Sequence, residues 1–378
     1  MLLAKNTCKN AADQRWLELA CQHGSAYWVR NSDAVYRHFE LADSRLALAQ
    51  TRDPKLQQSY VQCPRTAWID YPLYESQRLL RGISLRLAQL AGLTLGPALR
   101  QLLASTGLQQ SITIGNQLIS TNLYSSQFSS HIARISQLLS QNEDSPLVIR
   151  NICPEVDQKL MQDLSDTGWD LLPSRLIYLS QPELASVWQH NHVKQDAKLI
   201  SPSRMKQDKL EFIPAAELAV DDMPVLSDLY RQLFIQKHSG LNPDFSLKFF
   251  EFCRETGFLE LYALKQGTTY LGVIGLYSRP DCPWLTTPLL GYDMQASANL
   301  ALYRRLMAFL LQQAKERNLH LHYSSGAGNF KRLRGASPTM EYCAVYSAHL
   351  AMNKRLAIQA WGRLLKHTVP YILSKSPA

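Results

Sequence analysis

Toward the C-terminal end of the chain runs Tyr323-Ser-Ser-Gly-Ala-Gly-Asn-Phe-Lys-Arg-Leu-Arg-Gly-Ala-Ser-Pro338, followed after two residues by Glu341-Tyr342. Gly326 and Gly328 make a turn, and Lys331, Arg332 and Arg334 follow it closely. Cations at a turn can grip donor phosphates or a nucleic-acid 3′ end. The same residues also describe a solvated start of a basic helix, with the glycines serving only the turn. Upstream, Leu319 to Tyr323 reads as a short strand. Before it, Ser297 to Arg317 is the clearest helix in the chain, with Tyr303, Leu306, Met307, Leu310 and Ala314 on one apolar stripe. That helix follows three strands: Leu259 to Lys265, Tyr270 to Tyr277 across a tight Gln266-Gly267-Thr268 loop, and Trp284 to Leu290, which ends at Gly291-Tyr292-Asp293. Helices at Pro224 to Gln236 and Ser246 to Glu255 flank the LNPDF turn, and Tyr342 to Tyr346 is a further strand.

This order resembles the GNAT superfamily, in the branch of the Fem-type peptidyltransferases and related FemAB-like acyltransferases. The residues that carry the resemblance are Gly326, Gly328, Phe330, Lys331, Arg334 and Gly335, a glycine-containing turn after a strand and then an aromatic-Lys-x-x-Arg-Gly sequence. It covers residues 210–350. It implies an α/β (α+β) fold with a GNAT-like mixed central sheet flanked by helices, and two such lobes in tandem. The expected layout is a divergent N-terminal lobe over 1–185, a basic connector over 186–210, the GNAT-like domain over 211–350, and a basic amphipathic helix and tail over 351–378. One departure stands out. Where GNAT folds carry a glycine-rich phosphate loop before the long helix, this chain has Tyr292-Asp-Met-Gln-Ala-Ser-Ala-Asn. The Fem-type branch departs at the same loop.

The resemblance implies N-acyl transfer from a CoA or acyl-carrier-protein thioester to an amine acceptor, with that thioester as co-substrate and no permanently bound cofactor. Two alternatives stay open: aminoacyl transfer from tRNA, and a catalytically inactive binding module. Acyl transfer asks for a positioned base and for donors aimed at the developing oxyanion in a cleft that excludes water. It needs no catalytic triad. Ser324-Ser325-Gly326 lacks the spacing of a nucleophile elbow. Donor binding falls to Gly326, Gly328, Lys331, Arg332 and Arg334. Catalytic candidates are Glu341, Asp293 and Tyr292; Glu341 reads equally as a carboxylate paired with a nearby arginine, and Asp293 as a helix cap. Tyr230, Lys237, His238 and Asn242 are the acceptor-binding candidates, or a helix and turn built for stability. His320 and His322 alternate on one strand face without a third ligand, so no metal is expected.

In the N-terminal half, strands are expected at Ser25 to Arg30, Arg45 to Gln50, Thr66 to Tyr71, Ser111 to Ile114 with Leu118 to Leu123, Leu147 to Ile152 and Arg175 to Leu179. Helices are expected at Glu75 to Ala91, Gly96 to Ser105, His131 to Ser140 and Glu155 to Thr167, the last stopped by Gly168. The 378 residues, 46% hydrophobic and 19% charged, describe a globular protein of two ordinary domains. A net charge of +9 and a pI near 9.1 attract phosphates, nucleic acid, anionic lipid or an acidic carrier protein. Seven scattered cysteines without a CxxC pair suggest neither a disulfide framework nor a zinc site and fit the cytoplasm. The first residues lack a signal-peptide core, and no apolar run reaches bilayer length, so no integral membrane association is expected. The basic residues of 186–210, Lys194, Lys198, Arg204, Lys206 and Lys209, read as a surface for an anionic substrate or as a solvated helix face.

Overall fold

The computed structural model describes residues 2–41, 44–79 and 83–375. Its strands, in chain order, are β1 Ala34–Leu41, β2 Ser44–Thr51, β3 Ile112–Ile114, β4 Leu147–Ile152, β5 Asp170–Ser180, β6 Leu210–Pro214, β7 Glu260–Gln266, β8 Thr269–Ser278, β9 Trp284–Tyr292, β10 His320–His322 and β11 Ser337–Tyr346. The chain divides into two compact units. The first comprises Met1–Leu19, Tyr27–Arg30 and Ile177–Thr339; the second comprises Ala20–Ala26, Asn31–Leu176 and Met340–Ala378.

In the first unit the strands follow the order β5-β10-β9-β8-β7-β6, antiparallel except for the parallel pair β9 and β10. Two glycines fix how helices lie on this sheet. A Cβ at Gly272 would stand 3.3 Å from Leu306, and one at Gly291 would stand 2.5 Å from the backbone of Tyr230. Gly272 pairs with Tyr292 and Val273 with Gly291, so the two glycines point to opposite faces. Helix Leu302–Glu316 therefore covers one face and helix Met223–Arg231 the other. Beside the second of these, Phe245, Phe249 and Phe258 are fully buried with Trp28 and Trp16, whose rings stack at 6.1 Å.

In the second unit β1-β2-β3-β4-β11 follow one another, with only β3 and β4 parallel. Strand β4 is buried along its whole length, as a strand covered on both faces must be. Ile149 and Ala344 pack with helices Ile132–Asn142 and Gln158–Asp166 through Ile135, Leu139 and Leu164. Val148 and Val345 point the other way, toward Leu103, Ile358 and Trp361 of helices Ile83–Thr106 and Met352–Lys375.

Several expectations are corrected. The boundaries at residues 185, 210 and 350 do not coincide with the units, because Trp16 and Trp28 belong to the aromatic core of the first and Ile358 and Trp361 to the core of the second. Residues 186–210 are two helices, Asn191–Leu199 and Pro202–Gln207, rather than a connector. Buried Arg305 ties them down by bonding Leu199 O and Asp208. Thr66–Asp70 is a helical turn: Thr66 and Ile69 are buried three residues apart, and Asp70 is held by Arg65 and Arg100. Ser25–Tyr27 is likewise a turn, with only Val29 bridging to Phe245. Leu118 to Leu123 is a buried irregular loop, and β1 was not anticipated. The expected helix Glu75 to Ala91 is helical up to Leu79 and again from Ile83, and residues 80–82 lie outside the described residues.

Candidate functional site

Strands β9 and β10 pair over three positions, His320 with Trp284, Leu321 with Leu285 and His322 with Thr286. Strand β9 then continues to Tyr292 beside β8, while the other chain turns away after Tyr323. The turn is made of left-handed residues: Ser324 at φ 58°, Gly326 at 75° and Ala327 at 47°. Glycine adopts this conformation without penalty, whereas serine and alanine each lose about 1 kcal/mol. Lys331, on the short helix Gly328–Arg332, reaches back to hold the turn. Its Nζ donates to Tyr323 O at 2.7 Å, Ser324 O at 3.2 Å and Ser325 O at 2.7 Å. Gly328 is required by contact, since a Cβ there would stand 2.0 Å from the hydroxyl of Tyr178 on β5.

Arg334 closes the segment. Its Nε donates to Asp196 at 2.6 Å and its Nη1 to Phe330 O at 2.9 Å, and its guanidinium lies 3.3 Å from the Phe330 ring centre. Asp196 also accepts from Arg304 at 2.7 Å. Tyr303 joins this group to β9, with its ring 4.8 Å from Phe330 and 6.3 Å from Tyr292. Burial pushes the Tyr303 hydroxyl up to about 12 and raises those of Tyr292 and Tyr323 as well, so all three are neutral hydrogen-bonding groups near pH 7. A cavity of about 430 Å³ opens beside Arg334, Asp196 and Tyr323, between helices Asn191–Leu199 and Leu302–Glu316.

No family model and no curated protein matches the chain. Solved structures do. The C-terminal domain (DUF2156) of a putative lysylphosphatidylglycerol synthetase from Agrobacterium fabrum matches with a TM-score of 0.51 at 11% identity, over 94% of this chain and 97% of that one. FemX matches at 0.49 and 8% identity, over 86% and 90%, and L-PGS from Bacillus licheniformis at 0.48 and 10%, over 87% and 89%. The chain shares its fold with that DUF2156 domain. The first of these likenesses covers 94% of the chain and so takes in residues of both units.

Within the first unit the fold gathers Gly326, Gly328, Lys331, Arg332, Arg334 and Tyr292 around Tyr178, Tyr303 and Phe330. Arg332 is half-buried, with Nη1 at 3.5 Å from the Tyr178 hydroxyl. Asp293 directly follows β9, and its Oδ1 accepts from Gln295 N at 2.8 Å. The acceptor-binding candidates lie on the helix and turn behind the opposite face. Tyr230 is buried and donates to Pro243 O at 2.6 Å, and Asn242 donates to Phe234 O at 2.8 Å. The His238 ring is 5.8 Å from Phe234, and Lys237 is exposed at the end of the helical turn Gln232–His238.

Glu341 belongs to the second unit. It is 1% exposed and accepts from Arg175 Nε at 2.7 Å and Nη2 at 3.1 Å, and from Asn151 Nδ2 at 3.0 Å. Arg175 also donates to Ser120 O at 2.6 Å, which ties the buried loop 118–123 to the pair. Burial opposes the Arg175 charge, but Glu341 more than offsets this and raises it above the ordinary arginine value. Among the described residues no group of three or more His, Cys, Asp or Glu side chains is placed to hold a metal ion, and no helix is long and apolar enough to cross a membrane.

Asp196, Tyr178, Tyr303, Arg175 and Asn151 are not among the site residues expected from the sequence, where Tyr303 is read only as part of an apolar helix stripe and Arg175 only as the start of a strand. Asp196 had one usable signal: it stands with Val193 and Ala197 at helical spacing inside a run otherwise read by its cations.

Proposed function

We propose that the protein transfers an acyl group from an activated carrier to an amine, with the reacting carbonyl held where β9 and β10 part. One observation carries this reading: the parallel pair ends at Thr286 and His322, while β9 runs on to Tyr292 beside β8 alone. Beyond Thr286 no described strand pairs with the other edge of β9, and backbone N–H groups there, Pro288 excepted because it has none, are the kind of donor a developing oxyanion requires. Tyr292 and Asp293 stand at the far end of that edge, where a base for the amine belongs. Lys331 acts as a positioning residue that sets the opposite lip through Tyr323, Ser324 and Ser325. The test is transfer to a panel of amines from thioesters of CoA and of carrier protein, read by mass spectrometry. Wild-type transfer together with a fall of about 10²-fold in Asp293→Asn supports the reading. Equal rates in the two proteins would remove Asp293 from it.

An aminoacyl ester on tRNA is the second donor, and it is favoured by the start of helix Leu302–Glu316. Its N-cap is Ala301, left-handed at φ 48° and without a side-chain cap, and no glycine precedes it in the turn from Asp293. A pyrophosphate at a helix N-terminus ordinarily relies on glycines that let the backbone approach. A surplus of nine positive charges suits a polyanion instead. Affinity for tRNA should fall steeply with salt, by a slope of about 0.9 or less per phosphate contact. Absence of binding at low salt would leave the thioester as donor.

A further inference from the structure

The cavity between helices Asn191–Leu199 and Leu302–Glu316 has a definite shape and polarity. On the second helix Arg304, Met307, Ala308, Leu311, Gln312 and Lys315 follow one another at steps of three and four or less, which is one continuous helix face. Val193, Asp196, Ala197 and Ile200 repeat the spacing on the facing segment. Two such faces ordinarily interlock, ridge into groove. Here small residues, Ala197 and Ala308, stand in the middle of both, and about 430 Å³ stays open where interiors are usually filled. That volume lies in the range of sites for small organic ligands. Between Met307 and Lys315 the helix rises about 12 Å. Along that length the walls are aliphatic: Val193, Ala197, Ile200, Met307, Ala308 and Leu311.

The two ends differ in charge. At the inner end Asp196 accepts from both Arg304 and Arg334; Asp196 and Arg334 are 3% and 5% exposed and pair one to one, whereas the Arg304 side chain is 38% exposed. Arg334 lines the cavity wall, and a carboxylate or a polarised carbonyl is the head group to which a guanidinium edge donates. At the outer end Lys315 lies 4.1 Å from the Trp188 ring with Glu316 beside it, and both charged residues are exposed. We propose that the cavity holds an aliphatic acyl chain. Its carboxyl or carbonyl head lies against Arg334 and its tail runs past Ala197 and Ala308 toward Trp188. The assignment rests on the acyl-transfer reading, since Tyr323 and Arg334 belong both to the cavity wall and to the lip of the strand opening. The transferred group is then an aliphatic acyl chain that fits a length of about 12 Å.

Calorimetric titration of the full chain with octanoate, octylamine and octanol tests this without requiring turnover. Octanoate should bind saturably, at least tenfold more tightly than octylamine, with octanol between them. Ala308→Phe, which fills the middle of the cavity, should weaken octanoate at least tenfold while the circular-dichroism melt stays within a few degrees of wild type. If Ala308→Phe does not fold, Ala197→Met fills the same space from the other wall and should weaken octanoate severalfold. Octylamine binding as well as octanoate, or unchanged octanoate affinity in a folded cavity-filling variant, would overturn the assignment. Octanoate binding without transfer from any donor would sink the reaction and leave the cavity, whereas transfer unaffected by saturating octanoate would do the reverse.

Discussion

At position 331 a lysine does work that its charge alone would not suggest. Its ammonium satisfies three carbonyls of a turn whose left-handed residues would otherwise cost conformational energy. Lys331→Met keeps the aliphatic stem and removes the donors. We expect a loss of about 2–3 kcal/mol from buried, unsatisfied acceptors, read as a lower urea midpoint, together with loss of transfer. A midpoint equal to wild type would mean that the turn holds without it. A second residue-scale expectation concerns Asp157, which is 9% exposed before helix Gln158–Asp166. Burial, and after it the charge of Glu341, pushes its carboxyl up to about 7, against the hydrogen bond from Cys153 N that favours ionisation. Because the folded value lies above the ordinary carboxylate value, the stabilising contribution is full below about pH 4 and is lost as pH rises through 7. Asp157→Asn should flatten this dependence, so that the variant gains on wild type between pH 5 and pH 8 in urea titrations. Parallel pH profiles would contradict the assignment.

Among the elements, those with a clear period could be read from the sequence, and those fixed by distant partners could not. Strands β7, β8 and β9 and helix Leu302–Glu316 fall within a few residues of expectation, because alternation and the stripe through Leu306 and Leu310 declare them. The stretch Thr66 to Tyr71 has strand-like composition, but Arg65 and Arg100 clamp Asp70 and the chain takes a helical turn. The loop Leu118 to Leu123 looks like a strand by composition, yet Asn122 and Asn151 satisfy it internally, with Asn122 Nδ2 donating to Asn151 at 3.0 Å. The cations after Gly328 were visible in the sequence, but their internal partners were not, since Asp196 lies 138 positions from Arg334. Helix Leu302–Glu316 offers its own test. Ala301→Gly relieves a left-handed alanine at its start, and we expect a gain of about 0.5–1 kcal/mol in stability. A lower melting temperature would show that the Ala301 methyl group packs usefully.

For the whole molecule, the GNAT-like resemblance over 210–350 suggests a cut that the cores do not allow. The first unit takes Trp16 and Trp28 from the beginning of the chain, where Trp16 stacks 5.8 Å from Phe258 and Trp28 lies 4.8 Å from Phe252. A fragment of residues 211–350 should therefore lack cooperative thermal unfolding and aggregate on heating, whereas the full chain melts in a sharp transition. A cooperative melt of the fragment by circular dichroism would refute this. The same interleaving has a consequence during synthesis. Lys9, which bonds Phe258 O, and its partner are 249 positions apart. At ribosomal rates of about 5–20 residues per second, the first helix leaves the exit tunnel on the order of 10–50 s before its docking surface is translated. For that interval Trp16 has no native partner to cover it, so the nascent chain exposes an aromatic face that the finished fold hides.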